Sequence, residues 1–248
     1  METDLIVYDE VDSTNTVLEK LADEGAPEGT CVIALSQTKG QGRSGRSFFS
    51  PEGGNLYMSL LLRPDTDERF DKITMAAAVA VSEAIDESFG IKTGIKWVND
   101  IYHDGRKVCG IVAVARNVGR DDRYVILGIG INIYAHEVPD DISGIYGSIY
   151  KYKCDLSKED QKKSVSELAH KIKGSFFGYY EDPLSPGLIM GYREKSIVIG
   201  SDVWYMCGND TYTAKAVGID DDGGIILDMN GDVRSYRDGE IRIRIADM

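Results

Sequence analysis

Lys39-Gly40-Gln41-Gly42-Arg43-Ser44-Gly45-Arg46 is the stretch on which the fold turns. Gly40, Gly42 and Gly45 satisfy the Gly-x-Gly-x-x-Gly spacing of a dinucleotide-binding turn. That fingerprint requires a Val/Ile-rich strand leading straight into a helix. Here Ser36-Gln37-Thr38 leads in and Ser47-Phe48-Phe49-Ser50-Pro51 leads out, with neither helical nor strand periodicity. The segment therefore reads as a long loop over 38–54, and a dinucleotide fold is rejected. Its glycines free the backbone to fold over a ligand and aim N–H groups inward. Arg43 and Arg46 offer planar forks that take carboxylate or phosphate at two points.

Working outward, strands are predicted at 5–8, 31–35 and 55–62, the last apolar on both faces and so central. A helix spans 14–24, capped by Ser13 or a neighbour and ended by Gly25-Ala26-Pro27. A long buried helix covers 70–89, where Ile73, Ala76, Ala77, Ala80, Val81, Ala84 and Ile85 recur at helical spacing. Further strands fall at 95–98, 108–115 and 124–133. The last ends in Gly128-Ile129-Gly130-Ile131-Asn132, which leaves one strand face without side chains. Tight sheet packing and a flat group lying on that face both account for it. Ser157 caps a helix running to Tyr180, and Pro186 starts a short one. From Gly200 strand-length runs alternate with Gly-Asn-Asp, Asp-Asp-Asp-Gly-Gly, Asn-Gly-Asp and Asp-Gly turns, a string of hairpins. The expectation is an α+β protein of two parts: residues 1–199, and a small all-β barrel at 200–248.

Bulk properties narrow the function. The chain of 248 residues carries a net charge of −13. Duplex binding relies on Lys and Arg neutralising phosphates, so a nucleic-acid partner is not expected. Local arginines on an acidic background point to a small anion in a pocket. No apolar run approaches the ~20 residues of a membrane span, and Met1-Glu2-Thr3-Asp4 lacks a signal-peptide layout. No membrane partner and a cytoplasmic location are the defaults. Cys31, Cys109, Cys154 and Cys207 are scattered without a Cys-x-x-Cys pair, and His103, His136 and His170 lack ligand spacing, so no metal site is assigned.

A second segment, Lys96-Trp97-Val98-Asn99-Asp100, stands close ahead of Arg106-Lys107. Trp97 alone reads as core, and Asn99 and Asp100 as turn residues. Lys107, at the mouth of a buried strand flanked by Gly105 and Gly110, can turn its ammonium into a cavity toward a carboxylate or α-phosphate oxygen. Ser13-Thr14-Asn15 and Gln37 are neutral donors and acceptors at the ends of the first two strands.

Taken together, these residues resemble the biotin–protein ligases. The resemblance rests on Asp12-Ser13-Thr14-Asn15, Gln37, the glycine loop with Phe48-Phe49-Ser50-Pro51, Asn55-Leu56-Tyr57-Met58-Ser59, Lys96 to Asp100, Arg106-Lys107-Val108-Cys109-Gly110-Ile111, and Gly128 to Asn132. It implies a mixed, mostly antiparallel central sheet with flanking helices, as in class II aminoacyl-tRNA synthetases and biotinyl ligases, and a C-terminal SH3-like barrel. It also implies a reaction: biotin's carboxylate attacks the α-phosphate of ATP, giving biotinyl-5′-AMP, and a lysine of a biotin carboxyl carrier protein then takes the acyl group. ATP and biotin are the substrates, with Mg²⁺. By the same resemblance Ser13, Thr14, Asn15, Gln37, Gly40, Gln41, Gly42 and Gly110 border biotin, the first two with Gln37 on the ureido ring. Arg43 and Lys107 hold the carboxylate and α-phosphate. Arg46, Phe48, Asn99 and Asn132 serve ATP, Asn132 reading adenine and Phe48 standing where the family has tryptophan. Asp100 orients the incoming lysine or a metal.

There are departures. Gln41 replaces the first arginine of Gly-Arg-Gly-Arg, Val98 the usual proline, and Val114 a common acid. Some relatives carry an N-terminal DNA-binding domain, which is not expected here. The strand 108–115 is a candidate edge for a homodimer, by analogy. Two rival readings are a lipoate–protein ligase, in which Ser13 and Gln37 would have no ureido group to bind, and a non-catalytic biotin sensor, which predicts loss of Lys107 or Arg43.

Overall fold

The computed structural model describes residues 5–117, 122–208, 210–237 and 239–246. The acidic start at 1–4 and the turn residues Asn209 and Asp238 fall outside these.

The larger sheet has seven strands: β1 (Leu5–Val11), β2 (Cys31–Gln37), β3 (Leu56–Leu62), β4 (Gly94–Lys96), β5 (Asp100–His103), β6 (Arg106–Arg116) and β7 (Tyr124–Ile131). Their order is β1-β2-β3-β7-β6-β5-β4, with only β1–β2 parallel. β3 lies between β2 and β7 with every residue buried, as its two apolar faces require. Side chains alternate between two apolar layers. One face, with Ile33, Met58, Leu60, Leu127 and Ile129, packs in the main cluster with α2 (Asp67–Phe89), α4 (Lys158–Glu181) and α5 (Pro186–Lys195). The other, with Val32, Leu61, Tyr124 and Ile126, packs with Leu18 and Ala22 of α1 (Thr14–Asp23). Each Leu or Ile fully buried this way contributes about 1.5–3 kcal/mol. Along β7 the α1 face runs Tyr124, Ile126, Gly128, Gly130, so its second half has no side chains to fill the space. That gap sets the position of the cavity described below.

The C-terminal strands β8 (Asp202–Cys207), β9 (Asp210–Ile219), β10 (Ile225–Met229), β11 (Asp232–Tyr236) and β12 (Arg242–Ile245) form an antiparallel sheet ordered β11-β10-β9-β8-β12. It shares the main apolar cluster through Val203, Ala216, Ile219 and Leu227. Trp97 Nε1 donates to the Gly223 carbonyl at 2.9 Å, and Arg193 Nε to the Ile219 carbonyl at 2.8 Å.

Several local expectations change. The strand expected at 95–98 stops at Lys96, the Trp97–Val98 peptide is cis, and a new strand starts at Asp100. Asp100 is therefore a strand residue, held by pairing with Gly110. The four-residue helix α3 (Asp140–Ser143) had no periodic signal because it is too short to show one. Ser13 sits at the N-cap of α1, but its side chain caps nothing. Gln37 does that work instead: its Oε1 accepts the Thr14 N–H at 2.8 Å. Ser157 does cap α4, its Oγ accepting from the Asp160 N–H at 3.2 Å. Beyond Ile111 the outer side of β6 pairs with no strand among the described residues, whereas its first half is covered by β5.

Candidate active site

A cavity of about 510 Å³ opens over the glycine half of β7. Its walls are the N-terminus of α1, the glycine loop, the turn between β4 and β5, the start of β6 and strand β12.

The α1 end is neutral and densely hydrogen-bonded. Gln37 Oε1 also accepts from Thr14 Oγ1 at 3.1 Å, and Gln37 Nε2 donates to Ser50 Oγ at 2.9 Å. Ser59 Oγ lies 2.7 Å from Thr14 Oγ1 and 2.6 Å from Asn15 Oδ1. Ser59 is fully buried, and Ser13, Thr14 and Asn15 are nearly so. Locking the donors and acceptors this way fixes their directions before any ligand arrives.

The glycine loop is a small hairpin. The Phe48 N–H donates to the Gly40 carbonyl at 2.8 Å, the Gly42 N–H to the Arg46 carbonyl at 2.7 Å, and Gln41 bridges to Ser47. A 3-10 turn, Arg43–Gly45, forms its tip, and Gly45 takes φ +72, which a glycine adopts freely. Gln41 Nε2 donates to Thr16 Oγ1 at 3.2 Å. Arg43 Nη1 donates to Asn99 Oδ1 at 2.8 Å, 56 positions away, joining the two segments singled out in the sequence. Asn99 Nδ2 in turn donates to the Ile111 carbonyl.

Across the cavity Lys107 Nζ lies 2.6 Å from Asp100 Oδ1. Lys96 Nζ stands 5.4 Å over the Tyr102 ring. Burial pushes the Lys96 ammonium below its usual pKa; Asp100 opposes this, while Lys107 and Arg244 add to it. Burial, and then the Asp100 charge, raise the Tyr102 phenol to about 12. The floor is covered by a ring: a β-carbon at Gly130 would come 2.3 Å from Phe48, and one at Gly110 would come 2.9 Å from it. At Gly128 the corresponding neighbour is Asn15, at 2.6 Å. Asn132 donates Nδ2 to the Gly147 carbonyl at 3.0 Å, and its buried Oδ1 has no partner.

Every residue named from the sequence as a site candidate lines this cavity except Gly40. A β-carbon at Gly40 would meet the Phe48 carbonyl at 2.4 Å, so it closes the base of the loop. Sequence reasoning gave no role to Ser59, Lys96, Tyr102, Arg242 or Arg244. A serine inside the apolar run Leu56-Tyr57-Met58-Ser59-Leu60 was a usable signal, as was the alternation Arg242-Ile243-Arg244.

The biotin/lipoate A/B protein ligase family matches residues 7–132, a span that runs from β1 through Asn132. The "Bifunctional ligase/repressor BirA" of Bacillus subtilis is 34% identical over 242 residues, covering 96% of this chain and 74% of that protein. This chain belongs to the biotin/lipoate A/B protein ligase family. Among other members, the "Biotin--[acetyl-CoA-carboxylase] ligase" of Mycobacterium tuberculosis is 28% identical, with 92% of this chain and 84% of that protein covered. The solved biotin protein ligase from Aquifex aeolicus, in complex with biotin and ATP, superposes with a TM-score of 0.80 at 30% identity, covering 98% of this chain and 100% of that one. Family membership accounts for the mixed α+β fold, and all the candidate residues taken from the sequence fall within the matched span.

Proposed function

We propose that this chain is a biotin–protein ligase that activates biotin with ATP and passes it to a lysine of a biotin carboxyl carrier protein. One observation carries the reading. A single cavity has a neutral, prearranged hydrogen-bonding end at Thr14, Gln37 and Ser59, and a cationic end at Arg43 and Lys107. Biotin has the matching form, a fused ring with a polar ureido edge and a carboxylate tail.

In the first step a biotin carboxylate oxygen attacks the α-phosphorus, the bond to the bridging oxygen breaks, and pyrophosphate leaves. Arg43 and Lys107 cancel the repulsion between the two anions; a donor fixed where charge develops is worth roughly 10²–10³ in rate. Asn132 offers its unpaired Oδ1 to the adenine amino group, and Phe48 and Arg46 border the nucleotide. In the second step the carrier lysine nitrogen attacks the acyl carbon and AMP leaves with the C–O bond electrons. Asp100 orients that amine and is the nearest carboxylate for its proton. The hairpin loop excludes water from the mixed anhydride meanwhile.

Among the described residues no group of three or more His, Cys, Asp or Glu side chains is placed to hold a metal. Mg²⁺ would come with the nucleotide, as MgATP, in the manner usual for this ion, and would neutralise part of the triphosphate charge. The sheet β8–β12 serves as an SH3-like barrel forming a second domain over 200–248, and the uncovered half of β6 is the surface for a homodimer. A cytoplasmic location without DNA or membrane partners fits the net charge of −13 and the absence, among the described residues, of a helix long and apolar enough to cross a membrane.

The test is incubation with biotin, ATP and Mg²⁺ and mass detection of biotinyl-5′-AMP. Lipoate in place of biotin separates the two branches of the family: lipoate turnover at or above the biotin rate overturns the assignment.

A further inference from the structure

Lys96 has no role in the scheme above, although its ammonium borders the same cavity. It ends β4 and is paired in register with Asp100, the nearest carboxylate across the strands. That carboxylate is already taken by Lys107 at 2.6 Å. The partners of Lys96 are an aromatic face and, at 3.5 Å, the Tyr102 hydroxyl. A partly desolvated cation on a cavity wall, stacked on a ring, thus shares its one nearby carboxylate with Lys107, which holds it in a direct ion pair. Arg242 and Arg244 of β12 border the cavity too, and among the described residues neither forms an ion pair. These cations stand apart from Arg43, which is tied to Asn99.

We infer that Lys96 is the site's outer-phosphate residue: it leaves the Tyr102 ring to hold the β- and γ-phosphates of ATP, and then the pyrophosphate as it departs. The inference rests on the ligase reaction proposed above. Three arguments support it. The reaction places more negative charge on the leaving group than on any other product, and Arg43 and Lys107 are committed to the reacting carboxylate and α-phosphate. Arg242 and Arg244 line the same cavity and add to the positive potential that would receive that charge. Burial already disfavours the Lys96 ammonium, and Asp100 offsets this only in part, so an approaching phosphate restores what solvent no longer supplies.

Lys96→Met and Lys96→Arg test this. The assays are inhibition of adenylate formation by pyrophosphate, the KM for ATP, calorimetric binding of biotin, and transfer from chemically prepared biotinyl-5′-AMP to a carrier protein. Lys96→Met is expected to raise both the pyrophosphate inhibition constant and the KM for ATP about tenfold, the effect of losing one charged contact. Biotin affinity and transfer from the prepared adenylate should change less than the nucleotide terms, because neither involves pyrophosphate. Lys96→Arg should recover most of the loss. An unchanged inhibition constant, or equal losses in biotin binding and in transfer, overturns the inference. Failure of the wild-type protein to transfer from prepared adenylate would instead overturn the ligase assignment, so the two failures are distinct.

Discussion

The ring of Phe48 rests on Gly130, so closely that a β-carbon there would come 2.3 Å from the ring edge. Two residues far apart in sequence thus fix the height of the cavity floor. Gly130→Ala keeps an ordinary strand backbone but must displace the ring. Overpacking of this kind costs about 1–3 kcal/mol. Combining it with Phe48→Ala should recover at least half of that loss, and urea unfolding of the two single variants and the double variant measures the coupling.

Asn132 presents an acceptor because its amide nitrogen is committed to the Gly147 carbonyl. Asn132→Ala should therefore raise the KM for ATP by about tenfold, a missing hydrogen bond of about 1.4 kcal/mol. The same variant should narrow the preference for ATP over GTP, because guanine places an acceptor where adenine places its amino group. Initial rates with each nucleotide decide the matter, and an unchanged ratio would remove Asn132 from base recognition.

Arg43 holds the loop tip to Asn99 at 2.8 Å. Arg43→Ala breaks that tie and, in the proposed reaction, removes a cation from the two anions that meet. Adenylate formation should survive at a reduced rate while the product escapes, so bystander proteins become labelled on lysine without selection. Mass mapping of labelled sites in a protein mixture reads the effect; label confined to the carrier lysine would count against it. Lys107→Ala should instead stop the chemistry, lowering pyrophosphate release by about 10²-fold or more.

His136 predicts a pH effect on stability. Burial lowers its pKa from 6.5, partly opposed by a hydrogen bond with the Gly53 backbone and aided by the Lys153 charge. Its Nε2 is buried without a partner. The unfolded chain thus binds a proton more readily than the folded one below pH 6.5, and stability falls as pH drops from there toward the lowered folded value. His136→Asn should flatten that slope. Urea midpoints at pH 7.5 and 5.5 compare the two proteins, and parallel slopes would sink the prediction.

Much of this arrangement is legible in the chain. The glycine loop, the Gly-Ile alternation of β7 and the polar residues at the ends of β1 and β2 each announce themselves through local composition. The elements that were missed share a different cause. Asp100 looks like a turn residue, and only its pairing with Gly110 makes it the start of a strand. The cap of α1 comes from Gln37, 23 positions away, which no local capping rule can find. The glycine face of β7 is open to tight sheet packing and to a flat occupant alike, and nothing near it in sequence identifies Phe48 as the ring that covers it. The Arg-Ile alternation of β12 was visible, yet its use depends on where an entire second sheet is set down.

That last strand also bears on how the protein is made. Residues 242–245 emerge from the ribosome after every other part of the cavity wall, and they zip onto β8 to complete it. A nascent chain therefore carries its glycine loop and its neutral pocket end well before it has a finished enclosure. Until translation reaches β12, the growing polypeptide lacks Arg242 and Arg244, two of the cations that line the cavity.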